Sequence, residues 1–119
     1  MQELIHGAKW WKFDFHNHTP ASDDFGKGDA IHKAITPENW LLMYMTACID
    51  CVAITDHNSG EWVDKLKAAL AAMEIVEPKP VGYRKLHLFP GVEISASGNI
   101  HILALFDPTA GTAEIQSLL

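Results

Sequence analysis

His16 and His18 follow a strand-like apolar run, Trp10-Trp11-Lys12-Phe13-Asp14-Phe15, and Asp23 and Asp24 come shortly after. In an extended strand alternate side chains share a face, so the two imidazoles point the same way. Imidazole is a common ligand for zinc, iron and manganese-type ions, and nearby carboxylates complete such sites. An Asp56-His57 pair, Glu93 and His101 each stand beside a further strand-like run. Glu93 is the most telling, because a carboxylate inside an apolar strand is costly unless paired or coordinated. The donors His16, His18, Asp23, His57, Glu93 and His101 exceed what a single ion takes from protein. Two or three divalent ions, with Glu93 as a bridge, is the better count. Two ions about 4 Å apart can clamp a phosphoryl group and lower the pKa of a bridging water, whose hydroxide attacks phosphorus in line. Asp56, next to His57, and Asp14, two residues before His16, are placed to orient an imidazole from behind. Asp23 and Asp24 compete for one place, and spacing leaves that choice open.

Each signal alone is weak. One His-x-His, or one Asp-His dipeptide on a loop, is common without a metal. His101 alone reads equally as a hydrogen-bonded histidine at a strand start. What argues for a metal site is the recurrence of such groups at successive strand ends, where α/β folds place their ligands. His6, His32 and His87 fall outside the pattern, and His87 reads as a hydrogen-bonded strand histidine. Trp40 and Trp62 fit helix-packing positions better than base-stacking platforms. Arg84 and Lys85 read as a solvated turn.

The elements that must position these groups alternate. A first strand is expected over residues 11–16, with Phe13 and Phe15 on one face and Asp14, His16 and His18 on the other. A polar loop, residues 17–35, is long enough to suggest a functional role. Thr36-Pro37-Glu38 opens a helix, with Thr as cap, Pro at the first position and Glu at the positive end. A buried strand over 51–55 releases Asp56-His57-Asn58. Ser59 or Asn58 then caps a second helix with Trp62, Leu66, Ala69, Leu70 and Met73 inward. Residues 77–83, with two prolines and a glycine, form a loop. Strands follow over 85–89, 92–95 and 99–106, and a helix starts at Thr112. Strand, helix, strand, helix, strand predicts an α/β fold with a parallel sheet or barrel. Only the stretch Ala96-Ser97-Gly98-Asn99 joins the last two strands, too short for a parallel crossover, so these form a hairpin near residues 92–106 that brings Glu93 roughly opposite His101.

Composition bounds the rest. The 119 residues suffice for one modest domain, and 48% hydrophobic with 20% charged residues is ordinary globular balance. A net charge of −6 argues against broad electrostatic binding to nucleic acid or anionic membrane. Bound cations can still invert the field locally and admit a phosphate. No apolar run approaches the ~20 residues of a membrane span, and the N-terminal stretch has no signal-peptide pattern. A cytoplasmic location is the expectation. Cys48 and Cys51 have CxxC spacing, but lack the second half of a zinc site and run from helix into strand, so two reduced, buried cysteines are expected.

Asp14-Phe15-His16-Asn17-His18-Thr19-Pro20-Ala21-Ser22-Asp23 resembles the first motif of the PHP (polymerase and histidinol phosphatase) superfamily. Thr55-Asp56-His57-Asn58 resembles its second, and Pro90-Gly91-Val92-Glu93-Ile94-Ser95 followed by His101-Ile102-Leu103-Ala104 its third. The resemblance implies a distorted seven-stranded TIM-like (β/α) barrel with a trinuclear site of zinc, manganese or iron at the strand C-termini. It further implies phosphomonoester or phosphodiester hydrolysis, with a phosphorylated small molecule or a nucleic-acid end as substrate. By motif position, His16, His18 and Glu93 would serve one ion, Glu93 and His101 a second, and Asp23 and His57 a third. The opening residues are also similar to the PHP domain of bacterial proteins that join it to an ATPase module, which implies a role in DNA repair or defence.

The family ends its barrel with a late Asp-x-His motif, and none follows His101. A whole barrel also needs nearer ~200 residues. The expectation is therefore the N-terminal part of a PHP domain, a partial barrel whose exposed edges favour homo-oligomers. Two other readings stand beside the phosphoesterase. One is a non-catalytic metal-binding domain serving an attached module, and the other is a metal-dependent amide hydrolase on a related barrel.

Overall fold

The computed structural model describes residues 9–119, so His6 and the N-terminal stretch lie outside the described residues. Among the described residues, five strands and four helices follow in the order β1 (Phe13–Asp14), α1 (Ala30–Lys33), α2 (Pro37–Thr46), β2 (Cys51–Ala53), α3 (Glu61–Ile75), β3 (His87–Phe89), β4 (Gly91–Ala96), β5 (Ile100–Leu105) and α4 (Thr112–Leu118). β1, β2 and β3 form a parallel sheet in that order, and β4 and β5 form an antiparallel pair. The fold is thus mixed α/β with a parallel sheet. No helix among the described residues is long and apolar enough to cross a membrane.

Two crossovers build the parallel sheet. α2 begins as the sequence dictates: the Thr36 hydroxyl accepts the Asn39 amide at 3.2 Å, and Pro37 occupies the first turn. Its apolar stripe buries Trp40, Leu41 and Met45 against Trp62, Val63, Leu66 and Met73 of α3. Both helices cover the sheet face carrying Val52 and Leu88, with Ile54 and Val92 completing the core. Pleating puts Phe13, Phe15 and Phe89 on the opposite face, where Phe15 contacts the rings of Phe13 at 5.1 Å and Phe89 at 5.6 Å. That face has no helix of its own among the described residues, and Phe13 stays 56% exposed.

The strands of the parallel sheet are shorter than expected, because the chain leaves the ladder where side chains take over the hydrogen bonding. β1 ends at Asp14, and Asn17 then donates to the carbonyls of Asp14 (2.7 Å) and Ala53 (3.0 Å). The α3 start also differs: Gly60 holds the cap position, and Ser59 accepts the Glu61 amide from one residue further out. The 17–35 loop contains a succession of tight turns and α1, which Asp29 caps. Cys51 is buried as expected, but Cys48 is exposed, at a backbone φ of +61° where the chain reverses after α2. His87 is exposed and meets the Trp11 ring edge-on at 5.5 Å, where a hydrogen-bonded ring was expected. Arg84 is half-buried beside Asp50 at 3.5 Å, not in a solvated turn.

The two sheets are linked. After β2 the chain continues alongside β3 and β4: Ile54 donates to Phe89, Glu93 to Asp56, and Asn58 to Glu93, the last two closing a parallel bridge between His57 and Glu93. Gly91 sits at this junction, where an added Cβ would come within 2.8 Å of the carbonyls of Ala104 and Ile54. The hairpin forms as expected, but its register pairs Glu93 with Leu103 and Ser95 with His101. Glu93 and His101 are therefore diagonal neighbours on one face, not direct partners.

Candidate metal centre

Three segments bring imidazoles to one carboxylate. The first is the irregular chain leaving β1. The Asn17 amide donates to the Thr55 hydroxyl (2.9 Å), and the Thr55 amide returns to the Asn17 carbonyl (2.8 Å). With Asn17 turned into the protein, His16 and His18 on either side face outward together. The Trp40 indole fixes the second by donating to the His18 carbonyl at 2.9 Å.

Glu93 is the centre. It is 3% exposed, and its Oε2 faces His16 Nε2 at 3.1 Å, His18 Nε2 at 3.4 Å and His57 Nδ1 at 3.4 Å. Its Oε1 faces His101 Nδ1 at 3.1 Å. Burial acts to raise this carboxyl. The hydrogen bond from His16 and the fields of His57, His16 and His18 outweigh it, and the group ends below its ordinary value. His18 and His57 stack at 4.5 Å between ring centres, so the two sides of the cluster are in contact.

Two sets of donors converge within 4.8 Å, His16–His18–Glu93 and His57–Glu93–His101. Nitrogen and carboxylate oxygen in threes suit zinc, iron or manganese. The two sets share only Glu93. These His/Glu groups are compatible with bound metal ions.

Of the paired acids, Asp24 is the one that faces the cluster, with Oδ2 3.4 Å from His57 Nε2. Asp23 lines the same cleft of about 400 Å³, with Ala21, Asp24, His57, Asn58 and Ser95, but makes no contact with an imidazole. The acids expected to sit behind the imidazoles take other places. The Asp14 carbonyl, not its carboxylate, serves the site by holding Asn17. Asp56 is fully buried and accepts the Thr19 amide (2.6 Å), the Thr19 hydroxyl (2.5 Å) and the Ser22 hydroxyl (2.8 Å). Burial raises its carboxyl, against the pull of these donors. It reaches His57 only through Ser22, which accepts the His57 amide at 3.0 Å. His32 pairs with Asp29 at 2.5 Å in α1 and takes no part.

Sequence reasoning missed Asn17, Thr19, Ser22 and Thr55. All four are buried polar residues interleaved with the histidines and Asp56, and that interleaving is the signal they carried.

No family model matches the chain. A Streptococcus pneumoniae protein of uncharacterised function is 36% identical over 59 residues, which are 50% of this chain and 22% of that protein. Among solved structures, the chain is similar to a Bifidobacterium adolescentis protein provisionally assigned as a metal-dependent phosphoesterase. The TM-score is 0.52, with 25% identity over 90% of this chain and 31% of that one. The chain thus spans about a fifth of the curated relative and under a third of the solved structure.

Proposed function

We propose that this chain is part of a metal-dependent phosphoesterase of PHP type, hydrolysing phosphomonoesters or phosphodiesters of small molecules or nucleic-acid ends. The observation that carries the reading is Glu93: a buried carboxylate with both oxygens facing imidazoles delivered from separate parts of the chain. The likeness to a protein assigned as a metal-dependent phosphoesterase supports the general kind of chemistry. A barrel completed by further strands, a trinuclear site and an attached ATPase module belong to the PHP resemblance and are part of this proposal.

In this reading His16, His18 and Glu93 hold one ion, and His57, Glu93 and His101 a second. His57 Nε2 with Asp24, or Asp23 beside it in the cleft, holds a third. Zinc, manganese or iron bound there would supply an activated water and positive charge opposite the phosphoryl oxygens. The protein's own part is positional. Glu93 fixes the spacing between the two sets through one rigid, buried side chain. Asn17 and Thr55 aim the first two imidazoles. The open cleft beside Asp24 and Ser95 admits the ester. Among the described residues the side chains lining that cleft include no lysine or arginine, and in this reading the charge opposite the phosphate comes from the ions.

The test is hydrolysis of p-nitrophenyl phosphate and bis(p-nitrophenyl) phosphate by protein loaded with manganese or zinc, with metal content measured in parallel. Turnover that Glu93→Ala abolishes supports the phosphoesterase. Full occupancy without turnover on either ester favours a non-catalytic metal-binding domain, and cleavage of amides alone favours an amide hydrolase.

A further inference from the structure

We propose that Ser22 is a positioning residue that fixes the ring proton of His18 on Nδ1 and leaves Nε2 bare to face Glu93. The inference rests on the metal-site reading for its purpose, though not for its geometry.

A serine hydroxyl has one hydrogen and two lone pairs. The backbone amide of His57 donates into Ser22 Oγ at 3.0 Å, using the first lone pair. Asp56 Oδ1 lies 2.8 Å from the same oxygen and already accepts the Thr19 amide at 2.6 Å, so the serine hydrogen goes to this carboxylate. One lone pair remains, and His18 Nδ1 lies 3.4 Å away. An Nδ1–H completes the serine, whereas a proton on Nε2 would leave Nδ1 bare against that lone pair to serve a Glu93 oxygen that His16 and His57 already face at 3.1 and 3.4 Å. Ser22 is 1% exposed, so water does not compete for the position.

Fixing the proton on Nδ1 decides what the other nitrogen does. His18 Nε2 then carries a lone pair toward Glu93 Oε2 at 3.4 Å, an arrangement that a cation between them relieves. Metal-bound histidines characteristically donate the opposite ring N–H to a protein acceptor, which orients the ring and fixes its tautomer. Here the acceptor is a hydroxyl that Asp56 keeps turned. The loop is built to hold it: Ser22 donates its own amide to the Thr19 carbonyl at 2.9 Å, and Thr19 is held in turn by Asp56. The Asp56 carboxylate thereby reaches His18 through Ser22, with no contact of its own to the imidazole.

The test is long-range ¹H–¹⁵N correlation NMR of the histidine rings in the intact chain at pH 8, first with chelator and then with zinc. The signal of His18 is identified by its loss in His18→Gln. The wild type is expected to show His18 as the Nδ1–H tautomer without metal. Ser22→Ala is expected to shift that signal toward the Nε2–H form and to weaken zinc affinity about tenfold. Ser22→Thr, which restores a hydroxyl, is expected to return both. An Nε2–H tautomer in the wild type overturns the inference whether or not any variant folds. So does a Ser22→Ala protein with an unchanged His18 signal. An Nδ1–H tautomer that depends on Ser22, in a protein that takes up no zinc, supports the inference while the metal reading fails.

Discussion

At the scale of single residues, Glu93 and His101 are not equivalent, although both lie on the hairpin and 3.1 Å apart. Glu93 belongs to both donor sets and His101 to one. Glu93→Ala is therefore expected to empty both ion positions, and His101→Ala only the second. His16→Ala is expected to lower occupancy of the first. Elemental analysis after gel filtration in zinc would show it; equal stoichiometry in Glu93→Ala and wild type would refute the shared-carboxylate assignment. Asp56 has a different role. Its removal leaves the Thr19 amide and two hydroxyls without their acceptor in a dry interior, where each unsatisfied group costs about 1–3 kcal/mol. Asp56→Ala is expected to lose on the order of 3 kcal/mol in urea unfolding with chelator present, and Asp56→Asn less, since one amide oxygen still accepts. A loss in Asp56→Ala below about 0.5 kcal/mol, the level of an ordinary surface substitution, would show that the buried network is not structural.

Among the elements, α4 gives the clearest pH dependence. Gly111 has no side chain to cap the helix, and Glu114 reaches back to accept the Gly111 amide at 2.8 Å. That backbone donor, with the Glu114 amide second, holds the Glu114 carboxyl below its ordinary value. A lowered folded value means stability that is fully present above the unfolded pKa, about 4.3, and is lost as pH falls through the folded one. Glu114→Ala is thus expected to be less stable than wild type at pH 7, with the difference narrowing toward pH 3. Denaturant midpoints across that range test it, and a constant difference would exclude the carboxylate as the cause. How far such elements could be read from residues alone follows the range of the forces involved. Thr36-Pro37 announces α2 because capping is local, and so short a link between β4 and β5, three residues, forces a hairpin. The register is different: Asn99 takes a left-handed turn at φ +59° beside Gly98 at +79°, and this short turn sets Glu93 against Leu103, not His101. That Asp24 and not Asp23 lies 3.4 Å from His57 Nε2 has a similar reason: both follow the Thr19–Ser22 turn, which is held by Asp56, more than thirty residues away in the chain.

For the whole molecule, the candidate centre is the place where the parallel sheet and the hairpin meet. His16 and His18 follow the first strand of the parallel sheet, His57 follows the second, and Glu93 and His101 lie on the hairpin. Among the described residues, backbone pairing joins the two sheets only through the short stretch around His57, Gly91 and Glu93. Ions bound there would tie the parallel sheet to the hairpin by coordination, and ligands that bind only the folded state stabilise it by mass action. At free metal about 100 times the dissociation constant the gain is about 2.7 kcal/mol. At roughly 4 °C per kcal/mol for a chain of this size, this amounts to a rise of about 10 °C in the unfolding temperature. Differential scanning fluorimetry over a zinc or manganese series is expected to show the midpoint climbing with metal, returning on addition of chelator, and losing its metal dependence in Glu93→Ala. Magnesium, which prefers oxygen ligands, is expected to do much less at a site so rich in imidazole. A midpoint indifferent to zinc and manganese at millimolar concentration would mean that the convergence of histidines on Glu93 serves as a hydrogen-bonded network alone.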